Sequence, residues 1–351
     1  MKMNNTVLVG LTLGLALILV NFTTFSYAQL QFGFYKGKCK DKTVDVEAIV
    51  TGIIKERIKT DSSIVAALLR MQFHDCFVKG CDASLLLDGS ASEKTAPPNL
   101  SVRGYELIND IKVALENQCG FRTVSCADII VMATRDAVSE STGNIKFRYE
   151  VPTGRMDGKV SLATNVDLPS PRITVKDSII AFGKKKLSST EMVLLLGGGH
   201  TVGITHCSLF KYRLYSYNAT HKQDPTMDKA EAEELKTKCH VSSDTDNVPI
   251  DLDQTPGNSL LVDNGFYKQI QAGRGILEID QALALDKATM AAVNWFSANA
   301  IDFLVEFGKA MVKLGNVDVL TGNGPDREIR EKCGAINSSA PASSGPLNLL
   351  P

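Results

Sequence analysis

Leu68-Leu69-Arg70-Met71-Gln72-Phe73-His74-Asp75-Cys76-Phe77-Val78-Lys79-Gly80-Cys81-Asp82-Ala83-Ser84 is the stretch from which the fold and chemistry of this 351-residue chain can be read. Arg70 and His74 stand four apart, so on a helix they share one face, one turn above the other. Met71 and Phe73 flank that face with apolar surface. Asp75 is rotated from His74 by about 100°, so it can serve a different site. Cys76 and Cys81 bracket a short loop, and Asp82 and Ser84 add oxygen donors beyond it. Each feature alone has a plainer reading. A helical His is commonly a satisfied core residue. Cys-x4-Cys is followed by no second Cys/His pair of zinc-site spacing. The acidic loop lacks the EF-hand pattern.

Working outward, Met1 to Ala28 contains Lys2, an apolar run from Val7 to Val20, and Ser26-Tyr27-Ala28. That is the form of a signal peptide, residues 1–28, cleaved before Gln29. No later stretch approaches the ~20 apolar residues that cross a bilayer, so a secreted protein without a membrane span is expected. All eight cysteines follow the leader. An even number in an oxidising compartment points to four disulfides rather than thiol or iron–sulfur chemistry, with their pairing left open by the residues themselves. With Lys2 gone from the 38 basic residues, 37 remain against 39 acidic ones. Nothing in that balance suggests a nucleic-acid partner. Lys184-Lys185-Lys186 reads as a solvated helix end, and Asn218 and Asn337 as surface sequons open to N-glycans.

Apolar residues recur at helical spacing from Val44 to Lys59, and Asp61-Ser62-Ser63 is expected to cap the helix carrying Arg70 and His74. Leu85 to Ser101 reads as loop, with Pro97-Pro98 excluding helix. Tyr105 to Asn117 and Cys126 to about Ser139 read as helices, and Gly143 to Leu168 as loop with short strands. Ser188 and Glu191 form a capping box before a helix that runs into Gly197-Gly198-Gly199-His200. Helical patterns return from Leu283 to Leu314, with Trp295, Phe296, Phe303, Phe307 and Met311 as expected core. Ser338 to Pro351, uncharged and rich in Ser, Ala and Pro, reads as a disordered tail.

The run LLR-x-x-FHDCFV-x-GCD-A-S resembles the distal motif of the plant class III secretory haem peroxidases. Leu194 to Cys207 resembles their proximal motif, and Asp280-Gln281 a third family position. The resemblance implies a mostly α, two-lobed haem peroxidase fold with haem between distal and proximal helices and few short strands. It places a distal lobe at about 29–172 and a proximal lobe at about 173–337. It pairs Cys39–Cys119, Cys76–Cys81, Cys126–Cys333 and Cys207–Cys239, and makes Asp128–Arg155 a buried ion pair. It assigns Arg70, His74, Phe73 and Asn99 to catalysis, and Pro169 and Arg172 to the donor rim. His200 is the implied axial ligand of one haem b, with Asp280 as its hydrogen-bond partner.

Two calcium ions are implied as well, a distal one at Asp75, Val78, Gly80, Asp82, Ser84 and Glu93, and a proximal one at Thr201, Asp253, Thr255 and Asp263. The spacing around Asp253 and Thr255 departs from the family's. The expected function is a secreted, monomeric enzyme of the cell wall or vacuole that reduces hydrogen peroxide while oxidising phenolic donors by one-electron steps. The alternative is a non-catalytic, calcium-binding, disulfide-stabilised protein that binds wall polysaccharide. It would require the loss of a haem residue, yet Arg70, His74, His200 and Asp280 are all present.

Overall fold

The computed structural model describes residues 29–143 and 146–338, so the expected leader and all but the first residue of the expected tail lie outside the described residues. Among them are twelve helices: α1 (Val46–Thr60), α2 (Ile64–Val78), α3 (Tyr105–Gln118), α4 (Cys126–Glu140), α5 (Val175–Lys184), α6 (Ser189–His200), α7 (Cys207–Tyr215), α8 (Lys229–Lys238), α9 (Gly265–Gln271), α10 (Glu278–Leu285), α11 (Met290–Ala298) and α12 (Ala300–Gly315). The strands are short: β1 (Asp157–Gly158) pairs antiparallel with β4 (Arg327–Glu328), and β2 (Ile204–His206) with β3 (Pro249–Asp251). The architecture is mostly α, as expected. No helix among the described residues is long and apolar enough to cross a membrane.

Two helices carry the candidate site. α2 is buried nearly all round and packs on α4. α6 starts at a complete capping box, Ser188 accepting from the Glu191 N–H and Glu191 from the Ser188 N–H. It then runs through the middle of the second group of helices, touching α2, α5, α9, α10, α11 and α12. Its glycines permit that crowding. A Cβ at Gly197 would sit 2.3 Å from the Tyr267 hydroxyl, and one at Gly198 2.3 Å from the Phe307 ring, whereas one at Gly199 would meet nothing within 4 Å. α12 buries Phe303, Phe307, Met311 and Leu314 at three- and four-residue spacing, the stripe that faces a core.

The four disulfides are Cys39–Cys119, Cys76–Cys81, Cys126–Cys333 and Cys207–Cys239. Asp128 and Arg155 pair at 2.8 Å with both side chains buried.

Several local expectations are corrected. Trp295 is not core but 56% exposed; the 283–314 stretch is the end of α10 and two further helices, Asp286 closing a turn after α10, and Asn299 ending α11 while opening α12. Ser63 precedes α2 without capping it, since its hydroxyl is bonded to Asp61 and Arg103 instead. Pro97-Pro98 do not exclude helix but begin a 3₁₀ turn, Pro97–Asn99, whose first residues need no N–H donor. Lys184 and Lys186 are exposed, but Lys185 reaches inward, its ammonium 3.0 Å from the Val78 carbonyl.

The glycine contacts separate two neighbouring substitutions. Gly198→Ala should destabilise the protein by about 1–3 kcal/mol, the usual cost of overpacking a filled core. Gly199→Ala should be neutral or slightly stabilising, because Ala is the better helix former. Chemical denaturation of both variants checks this; equal losses would contradict the packing described.

Candidate active site

α2 places Arg70 and His74 on one face, as their spacing requires. Arg70 Nε donates to His74 Nε2 at 3.2 Å, and Arg70 Nη2 donates to the Pro98 carbonyl at 2.8 Å. On the other side of the ring, His74 Nδ1 lies 2.6 Å from Asn99 Oδ1. An amide oxygen accepts only, so Nδ1 carries the proton and Nε2 presents a lone pair. Asn99 is fixed in turn by donating Nδ2 to the Glu93 carbonyl at 2.8 Å. Glu93 therefore supports Asn99 through its backbone. Burial, aided by the Arg70 charge and opposed by the Asn99 bond, lowers the His74 pKa to about 4. The result is a neutral base beside a fixed cation.

α6 ends at His200, whose Nδ1 is 2.8 Å from Asp280 Oδ1. Asp280 is fully buried, while a quarter of the His200 side chain is accessible. Burial disfavours the charged ring, but the Asp280 charge and hydrogen bond outweigh it and raise the His200 pKa. Nδ1 being committed, Nε2 is the nitrogen left for a metal. It sits after a glycine with open space beside it, and the Arg70 charge is felt at His200 from α2. These features fit an iron macrocycle between α2 and α6, ligated by His200 and flanked by Arg70 and His74.

Asp75 turns to a separate cluster. Its carboxylate accepts from the Ala83 and Leu85 N–H groups. Burial and the neighbouring Asp82 and Glu93 push its pKa well up, and burial lifts Glu93 to about 7. The Ser84 hydroxyl and both Glu93 oxygens are buried without a partner. Unpartnered buried oxygens among crowded carboxylates fit a hard cation such as calcium. A second set converges after α6: Thr201 Oγ1 is 3.4 Å from Asp253 Oδ2, Asp263 Oδ1 and the Leu261 carbonyl. A methyl at Gly265 would lie 2.8, 2.9 and 3.0 Å from Asp253 Oδ2, Asp263 Oδ1 and Thr255 Oγ1. All four residues of the expected proximal set are thus brought together, despite the altered spacing. Among the described residues, no three His, Cys, Asp or Glu side chains suffice for a metal by themselves, so either set needs hydroxyl and carbonyl oxygens as well.

Pro169 and Arg172 line a cavity of about 410 Å³ with Phe77, Ile173, Lys184 and Lys185. None of Arg70, His74 and His200 lines it. The Phe77 ring stacks on Phe73 at 4.7 Å, and Phe73 meets His74 edge-on at 6.2 Å, so two rings stand between this cavity and His74. Arg172 is exposed, and its guanidinium lies 3.6 Å over the Tyr212 ring. Asn218 is exposed, whereas Asn337 is half-buried and donates its amide to the Ile329 carbonyl. The Pro98 carbonyl that holds Arg70, and Lys185 beside Val78, have no counterpart among the sequence expectations. A backbone acceptor has no residue code, and the Pro-Pro pair is its only trace.

Comparison with known proteins adds a common identity to this geometry. The sequence model of the family described as peroxidase matches residues 50–299. The chain is 53% identical over 319 residues to Peroxidase 60 of Arabidopsis thaliana, covering 91% of this chain and 93% of that one. It is 45% identical to Peroxidase 44 of Arabidopsis thaliana, over 89% and 94% of the two chains. Against Peroxidase 5 of Vitis vinifera it is 41% identical, over 89% and 92%.

The two neighbours of His74 act in opposite directions. In the cofactor-free chain the His74 ring should titrate near pH 4. Arg70→Leu removes a repelling charge and should raise that midpoint; Asn99→Leu removes the acceptor that favours the protonated ring and should lower it. NMR of the labelled imidazole measures both. Shifts of the same sign would break the assignment.

Proposed function

The chain belongs to the plant class III peroxidase family, and from that premise we propose that His74 and Arg70 cleave hydrogen peroxide while His200 and Asp280 hold the haem. The protein is a peroxidase, an oxidoreductase that uses peroxide to oxidise a donor. Haem bound at His200 Nε2 would supply the electrons that open the O–O bond and recover them singly from donors.

The chain's own part is proton management. His74 Nε2, the unprotonated nitrogen, takes a proton from the nearer peroxide oxygen and delivers it to the farther one, which leaves as water. Arg70 stabilises the negative charge that develops on the departing oxygen, already aimed by the Pro98 carbonyl. Asn99 keeps Nδ1 protonated, so the ring's one lone pair is on Nε2, on the side of Arg70, whose Nε donates to it. Phe73 closes the pocket against water. Asp280 pulls on the His200 N–H and makes the ring a richer ligand. The observation that carries this reading is the pairing of two histidines across one gap, one backed by an amide and a cation, the other by a buried carboxylate.

Calcium at the two oxygen clusters would brace both helices, since Asp75 adjoins His74 and Thr201 adjoins His200. Small phenols are the donors. Arg172, Lys184 and Lys185, set against the one carboxylate of Asp167, leave the cavity beside Pro169 a net positive wall that favours phenols bearing a carboxylate. Secretion to the wall or vacuole, a monomeric state and a glycan on the exposed Asn218 complete the reading.

An absorption spectrum of purified protein tests the premise, because haem gives a strong Soret band. His74→Ala should keep that band and slow peroxide cleavage by roughly 10²–10⁴-fold, the range for a positioned acid–base group; normal turnover would remove His74 from the mechanism. Mature protein should bind two calcium ions. Graded chelation should release the proximal one first, since the distal loop is closed by Cys76–Cys81. Because Thr201 follows His200, the haem spectrum should change with that first loss. An unchanged spectrum would refute the coupling.

A further inference from the structure

Outside the site, two tyrosines share one carboxylate. Tyr212, in α7, and Tyr217, just beyond it, stack with ring centres 6.5 Å apart and planes 17° from parallel. Both hydroxyls donate to Glu278: Tyr212 to Oε2, and Tyr217 to Oε1 at 3.2 Å. Glu278 opens α10 two residues before Asp280, the partner of His200. The same turn is tied to the loop before α5, Ile279 N donating to the Pro171 carbonyl at 3.3 Å. Both tyrosines are half-buried, and Tyr217 and Glu278 line a surface cavity of about 260 Å³ together with Asp286.

We propose that Tyr212, Tyr217 and Glu278 form a radical relay that carries oxidising equivalents from the centre beside His200 to the surface, where phenols on polymers too large for the interior are oxidised. This rests on the peroxidase reading above, which supplies the oxidant. In each transfer Tyr212 loses one electron inward, and its hydroxyl proton passes to the Glu278 carboxylate, leaving a neutral phenoxyl and a carboxylic acid. Burial and the Glu278 bond and charge raise the Tyr212 pKa, so the phenol is protonated beforehand and proton and electron leave together. The Arg172 cation over Tyr212 makes electron loss harder from that ring than from Tyr217. The equivalent therefore moves on to Tyr217, which faces the cavity. Each polymer-borne phenol gives up one electron and one proton. The electron reduces the phenoxyl, Glu278 returns its proton to tyrosine, and the donor proton goes to water.

A cluster that only braced the fold through the two hydroxyl bonds to Glu278 would trap no radical. The test is therefore the double substitution Tyr212→Phe with Tyr217→Phe, which keeps both rings. After peroxide and a nitroso spin trap, mass spectrometry of the wild-type holoenzyme should find the adduct on Tyr217, and none at either position of the variant. Oxidation of a soluble guaiacyl polymer should fall at least tenfold at equal haem content, with guaiacol turnover kept within about twofold. Wild-type protein with no adduct on either tyrosine, or a variant that retains polymer oxidation, overturns the relay. So does an equal loss of guaiacol turnover in the variant, which would assign the hydroxyls to the interior site. If wild-type protein with haem fails on guaiacol itself, it is the peroxidase reading that has failed, an outcome distinct from the others.

Discussion

A carboxylate buried away from water must find its charge balanced, and Asp128 meets that demand in a way that binds distant parts of the chain. Its Oδ2 accepts from the Tyr35 hydroxyl at 2.6 Å and the Gly154 N–H at 2.7 Å, and its Oδ1 from Arg155 Nη1 at 2.8 Å. The same guanidinium donates twice to the Gly315 carbonyl, at 2.9 and 2.6 Å. One ion pair thus joins the amino-terminal segment, the start of α4, the 152–155 turn and the end of α12. Removing either partner alone leaves a stranded charge, a loss of about 3–5 kcal/mol. Both α4 and α12 pack on α2, so the orientation of His74 depends on a charge that takes no part in its chemistry.

The two histidines show how one side chain is given opposite characters by its partner. Asn99 offers His74 an oxygen without charge, and Arg70 adds a cation, so the ring remains an uncharged acceptor of protons. Asp280 offers His200 a full negative charge, so that ring donates electron density strongly. Each partner is positioned by backbone: Asn99 by the Glu93 carbonyl, and Asp280 by its place in the first turn of α10.

Much of this is legible in the order of the residues. Helix faces follow from periodicity, which is why α1, α3 and α4 lie within two residues of their expected bounds, and the Ser188–Glu191 box is a local code read directly. The convergence of His74 with Asn99 and of His200 with Asp280 can be anticipated only through family resemblance, since no local rule brings residues 25 or 80 apart together. What escapes is whatever depends on the opposite wall. The exposure of Trp295, the inward reach of Lys185 and the Pro98 carbonyl behind Arg70 are decided by what stands across the gap. Ser63 fails as a cap because Asp61 and Arg103 claim its hydroxyl first.

The disulfides differ greatly in the time at which they can be made. Cys76 and Cys81 are five residues apart, whereas Cys126 and Cys333 are 207 apart. At ribosomal speeds of about 5–20 residues per second, Cys333 is synthesised roughly 10–40 s after Cys126. During that interval Cys126, the first residue of α4, is without its own partner, with Cys119 only seven positions away. Cys126 is fully buried where α4 packs on α1 and α2, so burial of that helix before Cys333 arrives would keep its thiol from a wrong partner.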